Sequence, residues 1–81
     1  MSQDIESVAI AAIGRQKNID PRSIGLDASL EQLHISSLDA ITILYEIEEE
    51  LDIEIPNEAL DSLKTVRDIV AGVTRLVERT R

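Results

Sequence analysis

The pattern that most limits the folding of this chain runs from Ser36 to Asp52. Ala40, Ile43, Leu44, Ile47 and Leu51 fall on one side of a helical projection, which is the spacing of a stripe that must be buried. Ser36 marks the start. Its hydroxyl is placed to accept from the amide of Asp39, the third helical residue, and an acidic side chain there completes the signature of a helix start. Ser37 then sits in the first turn, where amides lack partners and the dipole favours negative charge. A phosphate on that hydroxyl would gain roughly 0.3–1 kcal/mol from the dipole alone.

The same helix carries a second apolar stripe, Leu38, Ile41 and Tyr45, well away from the first and bordered by Ser37, Glu48, Glu49 and Asp52. A helix in a small protein has no need of two apolar faces unless something docks on the second. A single wide core stripe would absorb Ile41 at its edge but not Leu38 and Tyr45. The expected partner-binding set is therefore Leu38, Asp39, Ile41, Tyr45, Glu48, Glu49 and Asp52.

Two further amphipathic stretches flank this one. Ile5, Val8, Ala9, Ala12 and Ile13 recur at helical spacing and predict a helix over about 4–16, capped by Ser2 or Asp4, with Gly14 near its end and Asn18 as its stop. Thr65-Val66-Arg67-Asp68 is a capping box opening a last helix whose Val66, Ile69, Val70, Val73, Leu76 and Val77 form one stripe. Gly72 inside that helix costs about 1 kcal/mol relative to Ala, which suggests close packing there. Arg75, Arg79 and Arg81 suit its C-terminal end.

The connections are less periodic. Asp20-Pro21 reads as a cap followed by Pro at the first position of a short turn. Ile19, Ile24, Leu26, Leu30 and Leu33 are irregularly spaced, as anchors pinning an ordered loop onto a core would be. After the central helix, Ile53 and Ile55 belong to an extended connection with both side chains inward, ending at Pro56. Asn57 is expected to cap a short helix to about Ser62, with Ala59, Leu60 and Leu63 as inward contacts. The fold expected is all-α, a bundle of four helices: three longer ones, a short third helix and a long loop between the first and second. At 81 residues the chain has room for one domain with a modest core.

Charge and composition narrow the function. Net charge is −8, and no Lys or Arg lies between Arg22 and Lys64, while eleven carboxylates from Asp27 to Asp61 fall there. Such a field disfavours nucleic acid and anionic membranes and favours basic patches on protein partners. Hydrophobic residues make up 43% of the chain, with one Tyr, no Phe and no Trp. An interior of Ile, Leu, Val and Ala without large rigid plates can part to admit an alkyl chain. With no Cys, any thiol chemistry must come from an attached group. The longest apolar run, Val8 to Ile13, is too short for a membrane span, and Met1-Ser2-Gln3-Asp4 leads into no apolar signal, so the expected location is the cytoplasm. His34, Ser37 and Asp39 are the residue types of a nucleophilic triad, but all three crowd one helix start with no evident oxyanion loop or substrate pocket, so an enzyme is not expected. No spacing resembles a calcium loop, so no dedicated metal site is expected.

Leu33-His34-Ile35-Ser36-Ser37-Leu38-Asp39, then Glu48-Glu49-Glu50-Leu51-Asp52-Ile53-Glu54-Ile55-Pro56 and Thr65-Val66, resemble an acyl carrier protein. The resemblance implies that Ser37 carries a covalent 4′-phosphopantetheine arm whose thiol holds acyl groups as thioesters. It further implies a monomer served by a phosphopantetheinyl transferase and by acyl-transfer and synthase enzymes with basic docking patches, in a fatty-acid, lipid or polyketide-type pathway. Two departures stand out. Ser36 replaces the Asp usual before the modified serine, and His34-Ile35 replaces the usual small pair, with His34 an expected surface neighbour of the attachment point. Both suggest a specialised carrier. Two other readings remain: an unmodified acidic helical interaction module, and a peptidyl carrier, the latter disfavoured because the glycine-histidine pattern usual there is missing before Ser37.

Overall fold

A computed structural model describes residues 4–80; Met1, Ser2, Gln3 and Arg81, named above, lie outside them. Three α-helices form: α1, Ile5–Lys17; α2, Ser37–Leu51; and α3, Val66–Thr80. Two short 3-10 helices, Pro21–Ser23 and Asn57–Ser62, interrupt the connections. The architecture is all-helical, as the periodicity predicts. The short third helix is a 3-10 segment rather than α-helix, and it starts at Asn57 itself with Pro56 before it, so Asn57 is not its cap. Proline favours this, since its fixed φ leads the chain in without requiring an amide.

The core is wholly aliphatic. Ala9, Ala12 and Ile13 of α1 meet Ile43, Leu44 and Ile47 of α2 and Val66, Ile69 and Val73 of α3. The long first connection adds Ile24 and Leu30 as buried members, with Ile19, Leu26 and Leu33 half-buried around them. Irregular apolar spacing between residues 18 and 36 therefore has the expected cause: the segment is an ordered layer of the core. Its backbone is also fastened to the head of α3. Leu30 N–H donates to Lys64 O at 2.9 Å, Val66 N–H to Ala28 O at 3.1 Å and Arg67 N–H to Leu26 O at 2.9 Å. Arg67 Nη2 reaches Asp27 Oδ1 at 2.8 Å beside these bonds.

Helix ends follow local chemistry. Asp20 Oδ1 accepts from Arg22 N at 2.9 Å, with Pro21 opening the 3-10 turn. Asp4 caps α1 by position, but its carboxylate takes the Ser7 hydroxyl at 2.8 Å instead of a backbone amide. Thr65 Oγ1 accepts from Asp68 N at 3.2 Å and Asp68 Oδ2 from Thr65 N at 3.1 Å, which is the capping box of α3. Lys64 N also donates to that carboxylate, and these backbone bonds hold the Asp68 carboxyl below its usual pKa. Beyond α2, Asp52 adopts a left-handed conformation, and Glu48 holds the extended stretch twice. Its carbonyl accepts from Ile53 N at 3.1 Å, and its Oε2 from Ile55 N at 3.0 Å. Ile53 and Ile55 are both half-buried against the core.

The two helical glycines differ. Asn18, left-handed at φ 58°, turns the chain back over the end of α1, so a Cβ on Gly14 would lie 2.8 Å from Ile19 O and 3.2 Å from Pro21 Cγ. Gly72 does not sit in a close helix contact: a Cβ there meets nothing within 4 Å. It faces the groove between α3 and the Asn57–Ser62 segment. In chemical denaturation, Gly72→Ala should raise stability by about 0.5–1 kcal/mol, whereas Gly14→Ala should lower it by about 1–3 kcal/mol through overpacking.

Candidate functional site

Around the start of α2 the chain concentrates its polar work. Ser36 is extended at φ −77°, ψ 174°, and its Oγ accepts from Asp39 N at 3.2 Å while Asp39 Oδ2 accepts from Ser36 N at 3.2 Å. The reciprocal box predicted from Ser36 and Asp39 is therefore formed. Ser36 O also takes the Ala40 amide at 2.9 Å. The amides of Ser37 and Leu38 have no acceptor among the described residues, and these are the donors an anion at this end would meet. Ser37, the first residue of α2, is exposed, and its hydroxyl bonds no described residue.

Asp39 does more than cap. Its Oδ2 lies 3.0 Å from Lys17 Nζ and its Oδ1 accepts from Gln16 Nε2 at 3.1 Å, so the last turn of α1 is tied to the first turn of α2. The side chains of Lys17 and Asp39 are each only 22% exposed. The Lys17 bond above all, then those from Gln16 and Ser36, holds the Asp39 carboxyl far below the ordinary range. Nothing in the sequence signalled this lock, because its partners sit 22 and 23 residues before Asp39, on the far side of the first connection.

The residues before Ser36 shape the approach. His34 N–H donates to Glu31 O at 3.0 Å and Ile35 N–H to Leu30 O at 2.9 Å, closing a turn in which His34 is left-handed, φ 58°. Glycine takes that conformation freely, and histidine is among the side chains that tolerate it. His34 is exposed beside Ser37 in the chain, while Ile35 packs toward the core.

Along α2 the two apolar stripes separate as the projection predicts. Ala40, Ile43, Leu44 and Ile47 are buried, whereas Leu38, Ile41 and Tyr45 are 77%, 48% and 60% exposed. Tyr45 borders a cleft of about 250 Å³ lined by Ile41, Leu44, Glu48, Ile55, Pro56 and Leu60. The nearby Glu49 carboxylate, ahead of burial and the charge of Glu48, raises the phenol pKa. The acidic residues singled out earlier divide into two groups. Asp39 and Glu48 are half-buried and bonded within the chain, while Glu49 and Asp52 are exposed.

Comparison with known proteins follows the same residues. The family described as the phosphopantetheine attachment site matches residues 8–73. An acyl carrier protein of Thermosynechococcus vestitus is 37% identical over 77 residues, covering 94% of each chain. One from Bdellovibrio bacteriovorus is 38% identical over 60 residues, 73% of this chain and 77% of its own. One from Onion yellows phytoplasma is 38% identical over 66 residues, 80% of this chain and 87% of its own.

The Asp39 lock has a pH signature. A carboxyl whose folded pKa is depressed contributes stability above its unfolded pKa, and that contribution is lost as pH falls toward the folded value. The gap in stability between the unsubstituted protein and Asp39→Asn should thus be full above about pH 5 and narrow steadily below about pH 4. Paired denaturation curves across that range check it; a constant gap would count against the lock.

Proposed function

The chain belongs to the acyl carrier protein family, and from that premise we propose that Ser37 bears its prosthetic group and that the exposed face of α2 docks the enzymes it serves. Proteins with this domain carry 4′-phosphopantetheine covalently; they are carriers, not catalysts. When attached, the arm supplies a thiol on which acyl groups are held as thioesters.

One observation carries the choice of serine. The Ser36 hydroxyl is committed to the Asp39 amide, while the Ser37 hydroxyl is exposed and unbonded among the described residues. The site fits the group on structural grounds too. A phosphodiester at the first residue of α2 meets a helix end with two amides lacking acceptors, and nothing covers the hydroxyl. Asp39 serves here as a positioning residue, fastening the first turn of α2 to Lys17 and Gln16.

Ser36 keeps the capping role of the usual Asp but not its charge, and His34 accepts the conformation a glycine would fill. Both features support a specialised carrier that relies on a transferase adapted to them. Docking through Leu38, Ile41 and Tyr45, with Glu49 and Asp52 beside them, is supported by their exposure. Among the described residues no helix is long and apolar enough to cross a membrane.

Two measurements test this reading. Intact mass after co-expression with phosphopantetheinyl transferases should show one added phosphopantetheinyl group, retained in Ser36→Ala and absent in Ser37→Ala. Its absence with every transferase would favour an unmodified interaction module. Acyl chains of increasing length on the arm should raise the melting temperature until the cleft beside Ile41 and Leu60 is filled. At ~0.8 kcal/mol per methylene, about eight of them bound the gain near ~6 kcal/mol, less the cost of opening the core. No dependence on length would remove the sheltering role.

A further inference from the structure

The only aromatic residue of the chain is on its surface. Tyr45 is 60% exposed while every side chain of the core is aliphatic. An exposed tyrosine contributes little to the fold, yet tyrosine is among the residues that most often dominate binding energy at interfaces. Three neighbours decide what it can bind. Glu49 is one turn further along the same face, exposed and near the phenol, and its carboxylate has lone pairs to offer. Asp39 and Glu48 already hold bonds inside the chain, so Glu49 and Asp52 are the outward charges of this face. Below the ring lies the 250 Å³ cleft at Ile41, Leu44 and Leu60, open to an aliphatic side chain. No Lys or Arg lies between Arg22 and Lys64, so no cation of this segment competes for the ring.

We propose that Tyr45 and Glu49 together read a single arginine on the partner, its guanidinium stacked on the ring and paired with the Glu49 carboxylate, while an aliphatic neighbour of that arginine enters the cleft. The chemistry selects arginine over lysine. A guanidinium is planar, forks toward a carboxylate, stacks on aromatic faces and is weakly hydrated, whereas an ammonium is a compact and strongly hydrated charge. The acidic surroundings attract either cation at long range; the ring and Glu49 discriminate between them at contact. The inference rests on the reading of α2 as a docking face and is independent of any modification of Ser37.

The test uses the unmodified full chain and two short amphipathic helical peptides, identical except for Arg or Lys at one position, with a leucine one turn away. Affinities come from fluorescence anisotropy, and circular dichroism verifies that each variant is folded. The Arg peptide should bind about two- to five-fold more tightly than the Lys peptide. Tyr45→Leu should abolish that preference while Tyr45→Phe keeps most of it, and Glu49→Gln should weaken the Arg peptide more than the Lys peptide. Equal binding of the two peptides, or a preference that survives Tyr45→Leu, would overturn the arginine assignment and leave the docking face standing. Binding of neither peptide would overturn both.

Discussion

The carboxylate of Asp39 is the joint on which the rest of the arrangement depends. It returns a bond to the Ser36 amide, which closes the start of α2, and it receives Lys17 and Gln16, which end α1. Because both oxygens are occupied and the group is mostly shielded, the ion stays paired, and its bonds have directions that a surface ion pair would not keep. The first turn of α2 is thereby held to a neighbouring helix as well as wound on itself. A hydroxyl at Ser37 is presented from a fixed helix end rather than from the tip of a free loop. The long connection before it contributes to the same end, since its bonds to the head of α3 at Leu26, Ala28 and Leu30 fix where Ser36 begins.

Much of this was readable from residue spacing, because local rules govern it. The stripe from Ala40 to Leu51, the capping box of Ser36 and Asp39, that of Thr65 and Asp68, and Asp20-Pro21 all depend on residues within a turn or two of one another. What escaped has other causes. Lys17 and Gln16 lie on a different helix from Asp39, and no period links them. The backbone bridge between Ser29 and Thr65 spans still more of the chain and involves no side-chain signature. Gly72 misled because an interior helical glycine is consistent with both a tight contact and an open groove, and only the coordinates separate them. The 3-10 character of Asn57–Ser62 reflects a segment too short to repay an α-helical nucleus, entered directly from Pro56.

The acidic residues of α2 are likewise not equivalent, although charge counting treats them so. Glu48 spends one oxygen on the Ile55 amide, and Glu46 faces Arg15 at 3.7 Å with its other oxygen buried and unbonded among the described residues. Each of these tethers a neighbouring segment to α2. Glu49 and Glu50, with Asp52 just beyond the helix, remain to act outward. Crowding so many carboxylates on one helix works against compactness, and the bonds made by Asp39 and Glu48 recover part of that cost while leaving the outward field intact.

The distribution of side-chain shapes completes the physical picture. The largest fully buried side chains are Ile13, Ile43, Ile47, Ile69, Val66 and Val73, β-branched groups that lock their first rotor without forming large plates. Such an interior has a definite packing, yet each contact is small and can be exchanged for contact with another aliphatic chain of similar width. An aromatic ring in its place would wedge the helices at one separation. With the tyrosine ring outside, at the rim of the cleft between α2 and the Asn57–Ser62 segment, the one large rigid plate lies on the surface and the interior keeps only small aliphatic contacts. The Glu48–Ile55 bond spans that boundary, so movement of the extended stretch away from α2 must break or stretch one charged hydrogen bond. Movement of the extended stretch and the surface of α2 are therefore physically linked through the Glu48 side chain.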